Sequence, residues 1–142
     1  MTENVIIIPT RLEATRLPNK PLKKINNKEM ILHVYEAAKK ASIGDVIVAS
    51  PNQQICELID SVKGICVKTK PDHETGTDRI FEVFDKFLNK KPQTIINLQG
   101  DMPNIDPSAI KMLSSYMSKN ICDIATLASQ FKDRKEIENI NN

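Results

Sequence analysis

Three positively charged side chains stand close together near the N-terminus. Arg11, Arg16 and Lys20 lie between Pro9 and Pro21, in a stretch where proline restricts the backbone. A guanidinium group offers phosphate oxygens a planar pair of donors, and an ammonium group offers a compact charge. This basic segment, residues 10–24, is therefore either a clamp for a polyphosphate or an ordinary solvated loop, and on its own it leaves both interpretations open.

The common phosphate-binding and nucleophile motifs are missing. Neither GxxxxGK[ST] nor GxGxxG occurs, because the glycines are Gly44, Gly64, Gly76 and Gly100. Walker-type ATPases and dinucleotide-binding enzymes are thereby excluded. No serine or cysteine stands in a recognisable nucleophile setting, so covalent catalysis has no support in the sequence.

A candidate metal ligand follows an apolar run in what we call the aspartate segment, residues 99–106. Asp101 comes directly after Gly100, and Mg²⁺ prefers one or two carboxylates together with phosphate oxygens and water. Asp101 is therefore either a magnesium ligand or an aspartate that opens a turn. Asp106 is different: it precedes Pro107, which predicts a helix N-cap without a catalytic role.

A third polar stretch, the threonine segment (residues 70–78), precedes a helical pattern. Its backbone amides and the hydroxyl groups of Thr75 and Thr77 are candidates for binding a base or a ribose. The alternative is that one of these threonines only caps the helix. His73, and more strongly His33, are interpreted as surface or structural histidines.

Alternating elements are predicted to position these segments. Apolar runs typical of strands buried on both faces occupy residues 4–9, 45–50, 65–69, 94–98 and 124–129. Between them, apolar residues recur with helical spacing over 31–41, 55–62, 80–88 and 110–117. This order predicts an α/β fold, doubly wound, with a mostly parallel sheet and helices on both faces. Ligands in such folds bind at the carboxyl ends of the strands, where all three segments lie.

The composition fits one globular domain. The 142 residues are 40% apolar and carry a net charge of +2, so the chain is long enough to bury one core. The near-neutral charge and an aromatic content of 4% argue against nucleic-acid binding. No apolar run is long enough to span a membrane and no signal peptide is recognisable, so we expect a cytoplasmic protein without membrane insertion. Cys56, Cys66 and Cys122 lack CxxC spacing and are expected to be small core residues rather than a disulfide or a zinc site.

The three segments together resemble the 3-deoxy-manno-octulosonate (Kdo) cytidylyltransferases. Four motifs carry the resemblance, in that family's order and spacing: Ile-Ile-Pro-Thr-Arg at 7–11, Thr-Arg-Leu-Pro-Asn-Lys-Pro-Leu at 15–22, Asp-His-Glu-Thr-Gly-Thr-Asp-Arg at 72–79 and Asn-Leu-Gln-Gly-Asp at 97–101. The similarity covers essentially the whole chain. The acylneuraminate cytidylyltransferases resemble it in fold but carry a different first loop.

The resemblance implies transfer of CMP from CTP to the anomeric hydroxyl of Kdo, with release of pyrophosphate, for lipopolysaccharide or capsule biosynthesis. It implies that Arg11, Arg16 and Lys20 stabilise charge on the phosphates and that Gln99 lies by the reacting centre. Asp101 would hold Mg²⁺, the implied cofactor. The implied nucleotide-binding residues are Pro9, Thr10, Arg11, Arg16, Lys20, Thr75, Gly76, Thr77 and Arg79.

Three positions depart from the family pattern. Met102 stands where glutamate is usual, which removes a potential second partner of the metal site. Asn19 replaces a glycine, and asparagine is the next most tolerant residue of a left-handed backbone. Ser50 and Pro51 stand where Thr-Asp is common.

Members of the family continue well beyond 142 residues, through a half that supplies much of the Kdo pocket, the dimer contacts and a second metal-binding aspartate. We therefore interpret residues 1–142 as the nucleotide-binding part of a single cytidylyltransferase domain whose C-terminal half is missing. The strand at 124–129 is then expected to have an unpaired edge and to favour self-association. Three interpretations stay open: a cytidylyltransferase domain acting alone, as a homodimer or with a complementing C-terminal half; a related nucleotidyltransferase for another sugar acid; and an inactive nucleotide-binding remnant.

Overall fold

A parallel sheet flanked by helices forms the core of the protein. The computed structural model describes residues 4–13, 16–119 and 122–130. The strands are β1 (Asn4–Pro9), β2 (Lys24–Ile25), β3 (Lys28–Glu29), β4 (Asp45–Ser50), β5 (Ile65–Lys68) and β6 (Thr94–Asn97). The helices are α1 (Met30–Ala41), α2 (Gln53–Ser61), α3 (Gly76–Lys86) and α4 (Pro107–Lys119). Four strands form the parallel sheet in the order β5-β4-β1-β6, and β2 and β3 form a short antiparallel pair.

The central strand β1 is buried on both faces, as its continuous apolar sequence predicts. Ile6 and Ile8 pack with α1, α2 and α4 on one face of the sheet. Val5 and Ile7 pack with α3 on the other face. Because α3 returns the chain from β5 to β6 on the face opposite α1 and α2, the sheet is doubly wound, and the predicted fold class is confirmed.

The predicted fifth strand is wrong. Residues 124–129 form no strand, and Ile124 is 88% exposed. A strand needs a neighbour that bonds its backbone, and no strand of the described chain pairs with this run. The edge strands of the described sheet are therefore β5 and β6. The polar tail at 136–142 and Thr15 lie outside the described residues. Among the described residues, no helix is long and apolar enough to cross a membrane.

The expectation that all three cysteines stay unpaired is also wrong. Cys56 on α2 and Cys66 on β5 form a disulfide, with their Cα atoms 5.1 Å apart, a separation at which disulfides form. The pairing arises because α2 folds back onto the strand that follows it. Cys122 is free and exposed.

Candidate active site

The three polar segments meet in one cleft of about 1190 Å³ at the carboxyl ends of β1 and β6 and beside the start of α3. Most of the residues that the sequence singled out line this cleft. They are Pro9, Thr10, Arg11, Arg16, Lys20, Thr75, Gly76, Arg79, Gln99 and Asp101. Residues for which the sequence predicted no binding role also line it, including Leu12, Glu13, Met30, His73 and Glu74.

Two glycines let the segments approach one another closely. A Cβ atom on Gly100 would lie 3.0 Å from Thr10 Cβ and 3.1 Å from the carbonyl oxygen of Pro9. A Cβ atom on Gly76 would lie 3.1 Å from Pro9 Cγ. The end of β1 thus packs closely between the aspartate and threonine segments, and Thr10 is only 8% exposed. Pro9 and Thr10 shape the floor of the cleft.

The basic segment is held in place at two points. Asn19 adopts the expected left-handed conformation, with φ 57°, and its amide donates to the carbonyl of Leu12 at 3.1 Å. Asn52 accepts from the amide of Leu12 at 3.0 Å and donates to Glu13 Oε1 at 2.7 Å. The latter bond is the main reason why the pKa of Glu13 is lowered. Arg11 and Arg16 themselves are exposed, so their charges face solvent and the cleft.

An ion pair joins the basic and aspartate segments. Lys20 Nζ lies 3.0 Å from Asp101 Oδ2, and the two side chains are 39% and 56% exposed. An exposed pair of this kind stabilises a fold by about 0–1 kcal/mol. Both charges therefore remain available to a ligand at little cost to stability.

Asp101 is a candidate metal ligand outside any preformed cluster of ligands. The described part of the chain contains no group of three or more His, Cys, Asp or Glu side chains that could hold a metal ion. Met102 beside it supplies no carboxylate. A single aspartate fits Mg²⁺ only when phosphate oxygens and waters complete the coordination.

Thr75 is occupied by a helix cap. Its hydroxyl oxygen accepts from the amide of Asp78 at 3.1 Å, and Asp78 Oδ2 accepts from the amide of Thr75 at 3.2 Å. This reciprocal capping box satisfies the start of α3, and the hydroxyl also donates its proton to Asp78 Oδ2 at 2.6 Å, so it has no proton left for a ribose. The similar prediction for Asp106 is confirmed, since Asp106 Oδ1 accepts from the amide of Ser108 at 2.8 Å at the start of α4.

Thr77 does not line the cleft. It lies in what we call the apolar groove, a separate depression of about 350 Å³ that Thr77 shares with Ile80, Phe81, Phe84, Ile95 and Asn97. Successive helical residues point about 100° apart at 3.6 residues per turn, so Thr77 turns away from the side of α3 on which Gly76 faces the cleft. The expected contact of Thr77 with the nucleotide therefore has no geometric support.

Gln99 does line the cleft, and its Nε2 donates to Asn97 Oδ1 at 2.7 Å.

Arg79 braces the threonine segment from inside. It is 2% exposed, and its Nη1 donates to Thr69 Oγ1 at 2.5 Å and to the carbonyl of Lys70 at 2.8 Å. Burial, and then the positive charge of Arg11, lower the pKa of Arg79, although nearby carboxylates oppose the shift. Arg79 also lines the cleft, and its contact with base or ribose stays a prediction.

A buried carboxylate that sequence reasoning missed holds the same segment. Glu82 on α3 is 8% exposed, and its Oε2 accepts from the amide of Lys70 at 2.9 Å and bonds His73 Nε2 at 2.6 Å. Burial alone would raise the pKa of Glu82, but the bonds from His73, Lys70 and Lys86 lower it from 4.5 to about 2. Periodicity offered no signal for this role, because Glu82 lies about 200° around the helix from Ile80, away from the apolar stripe.

Acid should weaken the fold through Glu82. Its pKa in the folded state is about 2, below the ordinary 4.5, so its stabilising contribution is complete above pH 4.5 and is lost as the pH falls towards 2. At pH 7, Glu82→Gln is expected to lower the unfolding free energy by about 1.5–3 kcal/mol, the value of hydrogen bonds to a charged group. Urea unfolding at pH 7 and pH 3 should show this difference shrinking at the lower pH. A difference that stays constant with pH would contradict the assignment.

Two solved structures with this architecture are a CTP-bound synthetase and a cytidylyltransferase. CMP:2-keto-3-deoxy-manno-octonic acid synthetase, solved in complex with CTP, superposes with a TM-score of 0.77 at 40% sequence identity, over 82% of this chain and 48% of that one. A cytidylyltransferase from Leptospira borgpetersenii shares the fold, with a TM-score of 0.69 at 18% identity over 85% of this chain and 51% of its own. The class defined by the fold and its cleft is therefore that of the nucleotidyltransferases.

Sequence comparison narrows the class. The family model described as cytidylyltransferase matches residues 5–142, and the chain belongs to this family. The 3-deoxy-manno-octulosonate cytidylyltransferase of Rhodopseudomonas palustris is 40% identical over 141 residues, which cover 99% of this chain and 58% of the relative. That of Nitrobacter winogradskyi is also 40% identical, with 57% of its length covered. The chain thus spans little more than half the length of these relatives.

Proposed function

We propose that this chain binds CTP in the cleft and, together with the remainder of a catalytic domain, transfers CMP to Kdo with release of pyrophosphate. The observation that supports this most directly is that Arg11, Arg16 and Lys20 line one cleft with Asp101. Relatives at 40% identity bear the name of this activity, and the solved relative at the same identity holds CTP. The setting we propose is cytoplasmic lipopolysaccharide biosynthesis.

The proposed reaction makes one bond and breaks one. The anomeric oxygen of the sugar attacks the α-phosphorus of CTP, the bond from that phosphorus to the bridging oxygen breaks, and pyrophosphate leaves with the electron pair while the hydroxyl proton is released. The cationic side chains would bind the phosphates and offset the negative charge that develops on them. Mg²⁺, held by Asp101 and phosphate oxygens, would supply further positive charge. Gln99, from the same strand end, would lie by the reacting centre.

We further propose that a polypeptide equivalent to the rest of the relatives' length covers the edge of β6. The neighbouring apolar groove leaves Phe81 64% exposed, and an open strand edge with an apolar flank invites another strand. This occupant would bring the sugar site and the second metal ligand that the described residues do not provide. A second copy of the chain is the competing occupant.

Pyrophosphate release measured with CTP, Mg²⁺ and Kdo tests the function. We expect slow or no turnover by the chain alone and turnover after adding the separately expressed C-terminal part of the R. palustris relative. Turnover only with another sugar acid would replace Kdo as the substrate. Failure to bind CTP at all would overturn the proposal, and tight, steeply salt-dependent binding of an oligonucleotide would favour a nucleic-acid ligand instead.

One observation favours a second candidate, a nucleotide-binding protein without catalysis. Met102 leaves Asp101 without a neighbouring carboxylate, and a transfer arranged around two metal sites needs both of them. CTP binding without turnover, even in the presence of the complementing part, would support this alternative.

A further inference from the structure

One polar group at the cleft has no part in binding phosphates. His73 lines the cleft with its side chain 18% exposed. Its Nε2 is bonded to Glu82, whereas Nδ1 makes no hydrogen bond with any described residue. The pair of side chains therefore leaves one ring nitrogen available to a ligand in the cleft.

Glu82 decides which form of the imidazole ring is present. The pKa of Glu82 of about 2 keeps its carboxylate ionised at neutral pH, and an ionised carboxylate can only accept hydrogen bonds. Glu82 Oε2 already accepts from the amide of Lys70 at 2.9 Å, so His73 Nε2 must carry the proton in the 2.6 Å bond. In the neutral ring Nδ1 is then bare, and it is an acceptor.

The other residues that line the cleft indicate that the base of a bound nucleotide would lie near this acceptor. The proposed triphosphate is bound by the basic segment and Asp101, which leaves the threonine segment for the nucleoside. Within that segment the hydroxyl of Thr75 is used by the helix cap, and Arg79 is tied to Thr69 and Lys70. His73, in the singly protonated form of its ring, therefore offers this segment a side-chain acceptor that no described residue uses.

We propose that His73 is a specificity-determining residue that selects cytosine over uracil by accepting a hydrogen bond from the amino group of the base at Nδ1. This inference rests on the proposed CTP binding. Cytosine presents an amino donor where uracil presents a carbonyl acceptor. An acceptor in the site forms a hydrogen bond with the amino group of cytosine. With uracil the same acceptor faces a carbonyl oxygen, so neither group is paired, and binding of the uracil nucleotide is disfavoured.

Two substitutions separate the roles of the ring nitrogens. His73→Gln can place a donor where Nε2 lies, which keeps the bond to Glu82, but it loses the acceptor at the Nδ1 position. His73→Asn can place its oxygen where Nδ1 lies but cannot reach Glu82. Equilibrium binding of CTP and UTP to the full chain, with Mg²⁺ at pH 7.5, gives the affinity ratio for each variant, and urea unfolding checks that each is folded.

We expect the ratio of CTP to UTP affinity to fall about tenfold in His73→Gln, the value of about one hydrogen bond. In His73→Asn the ratio should be largely kept even if both affinities drop. If His73 is purely structural, His73→Gln should bind both nucleotides as the unsubstituted protein does, and His73→Asn should lose affinity for CTP and UTP equally. That result would overturn this inference and leave the proposed function standing. Absence of CTP binding by the unsubstituted chain would overturn the proposed function and this inference with it.

Discussion

Replacing Lys20 by methionine is expected to weaken CTP binding about 10- to 100-fold, because a hydrogen bond to a charged group contributes about 1.5–3 kcal/mol. Lys20 is 39% exposed and its bond to Asp101 spans 3.0 Å at the surface, so its loss should hardly change the stability of the fold. Methionine keeps most of the length and apolar character of the lysine stem. Isothermal titration with CTP at fixed Mg²⁺ and fixed ionic strength gives the affinity.

Lys23 provides the matched control. It lies three residues further on, is exposed, and does not line the cleft. Lys23→Met changes the net charge by the same amount and should leave CTP affinity within about twofold, because exposed charges at a distance are screened by salt. Equal losses in both variants would mean that the basic segment attracts the nucleotide only through its overall charge. No loss in either would remove Lys20 from the binding site.

The sheet followed from the sequence because burial on both faces leaves a local signal. Four of the five runs form strands, and β1 and β4 begin and end where predicted. The run at 124–129 carries the same signal, but pairing is a property of the neighbour rather than of the run. Short apolar segments therefore identify strands reliably only where another strand lies beside them.

Two backbone features near the site, at Asn19 and Asp106, could also be predicted. Asn19 was expected to tolerate a left-handed conformation because it stands where the similar family usually has glycine, and Asp106 was expected to cap a helix because proline follows it. The structure agrees at both positions. The first expectation came from the resemblance, and only the second from residues within one turn of the chain.

What the sequence could not reveal are contacts made across the fold. Asn52 supports the basic segment 39 residues away, and Cys56 meets Cys66 because α2 folds back on β5. His73 looked like an ordinary histidine, since the importance of its ring depends on a carboxylate nine residues later that α3 turns towards it. Polar pairs of this kind follow no apolar periodicity, so they emerge only once the elements are packed.

The effect of Asp101→Asn on CTP binding is expected to change sign when Mg²⁺ is added. Without Mg²⁺ the Asp101 carboxylate repels the triphosphate and holds Lys20 at 3.0 Å, so the asparagine variant should bind CTP as well as the unsubstituted protein or better. With Mg²⁺ the carboxylate becomes a ligand, and its loss should weaken CTP binding by about 10-fold or more, comparable to other losses at metal sites. Titrations with CTP in the presence of EDTA and of saturating Mg²⁺ give the four affinities that are needed.

Asp106→Asn is the control for that experiment, because it makes the same change of charge five residues further on, at a position that does not line the cleft. Asparagine caps helices about as well as aspartate, so α4 should stay intact and the response to Mg²⁺ should match that of the unsubstituted protein. If Asp101→Asn weakens CTP binding equally with and without Mg²⁺, Asp101 positions Lys20 and holds no metal. If Mg²⁺ strengthens CTP binding in both variants as it does in the unsubstituted protein, the metal is bound by phosphates alone. The metal is assigned to this carboxylate only if the effect on CTP affinity changes sign with Mg²⁺ in Asp101→Asn and not in Asp106→Asn. Such a change of sign requires the Asp101 carboxylate to repel the nucleotide in the absence of a cation. The same carboxylate must then favour binding when a cation lies between it and the phosphates.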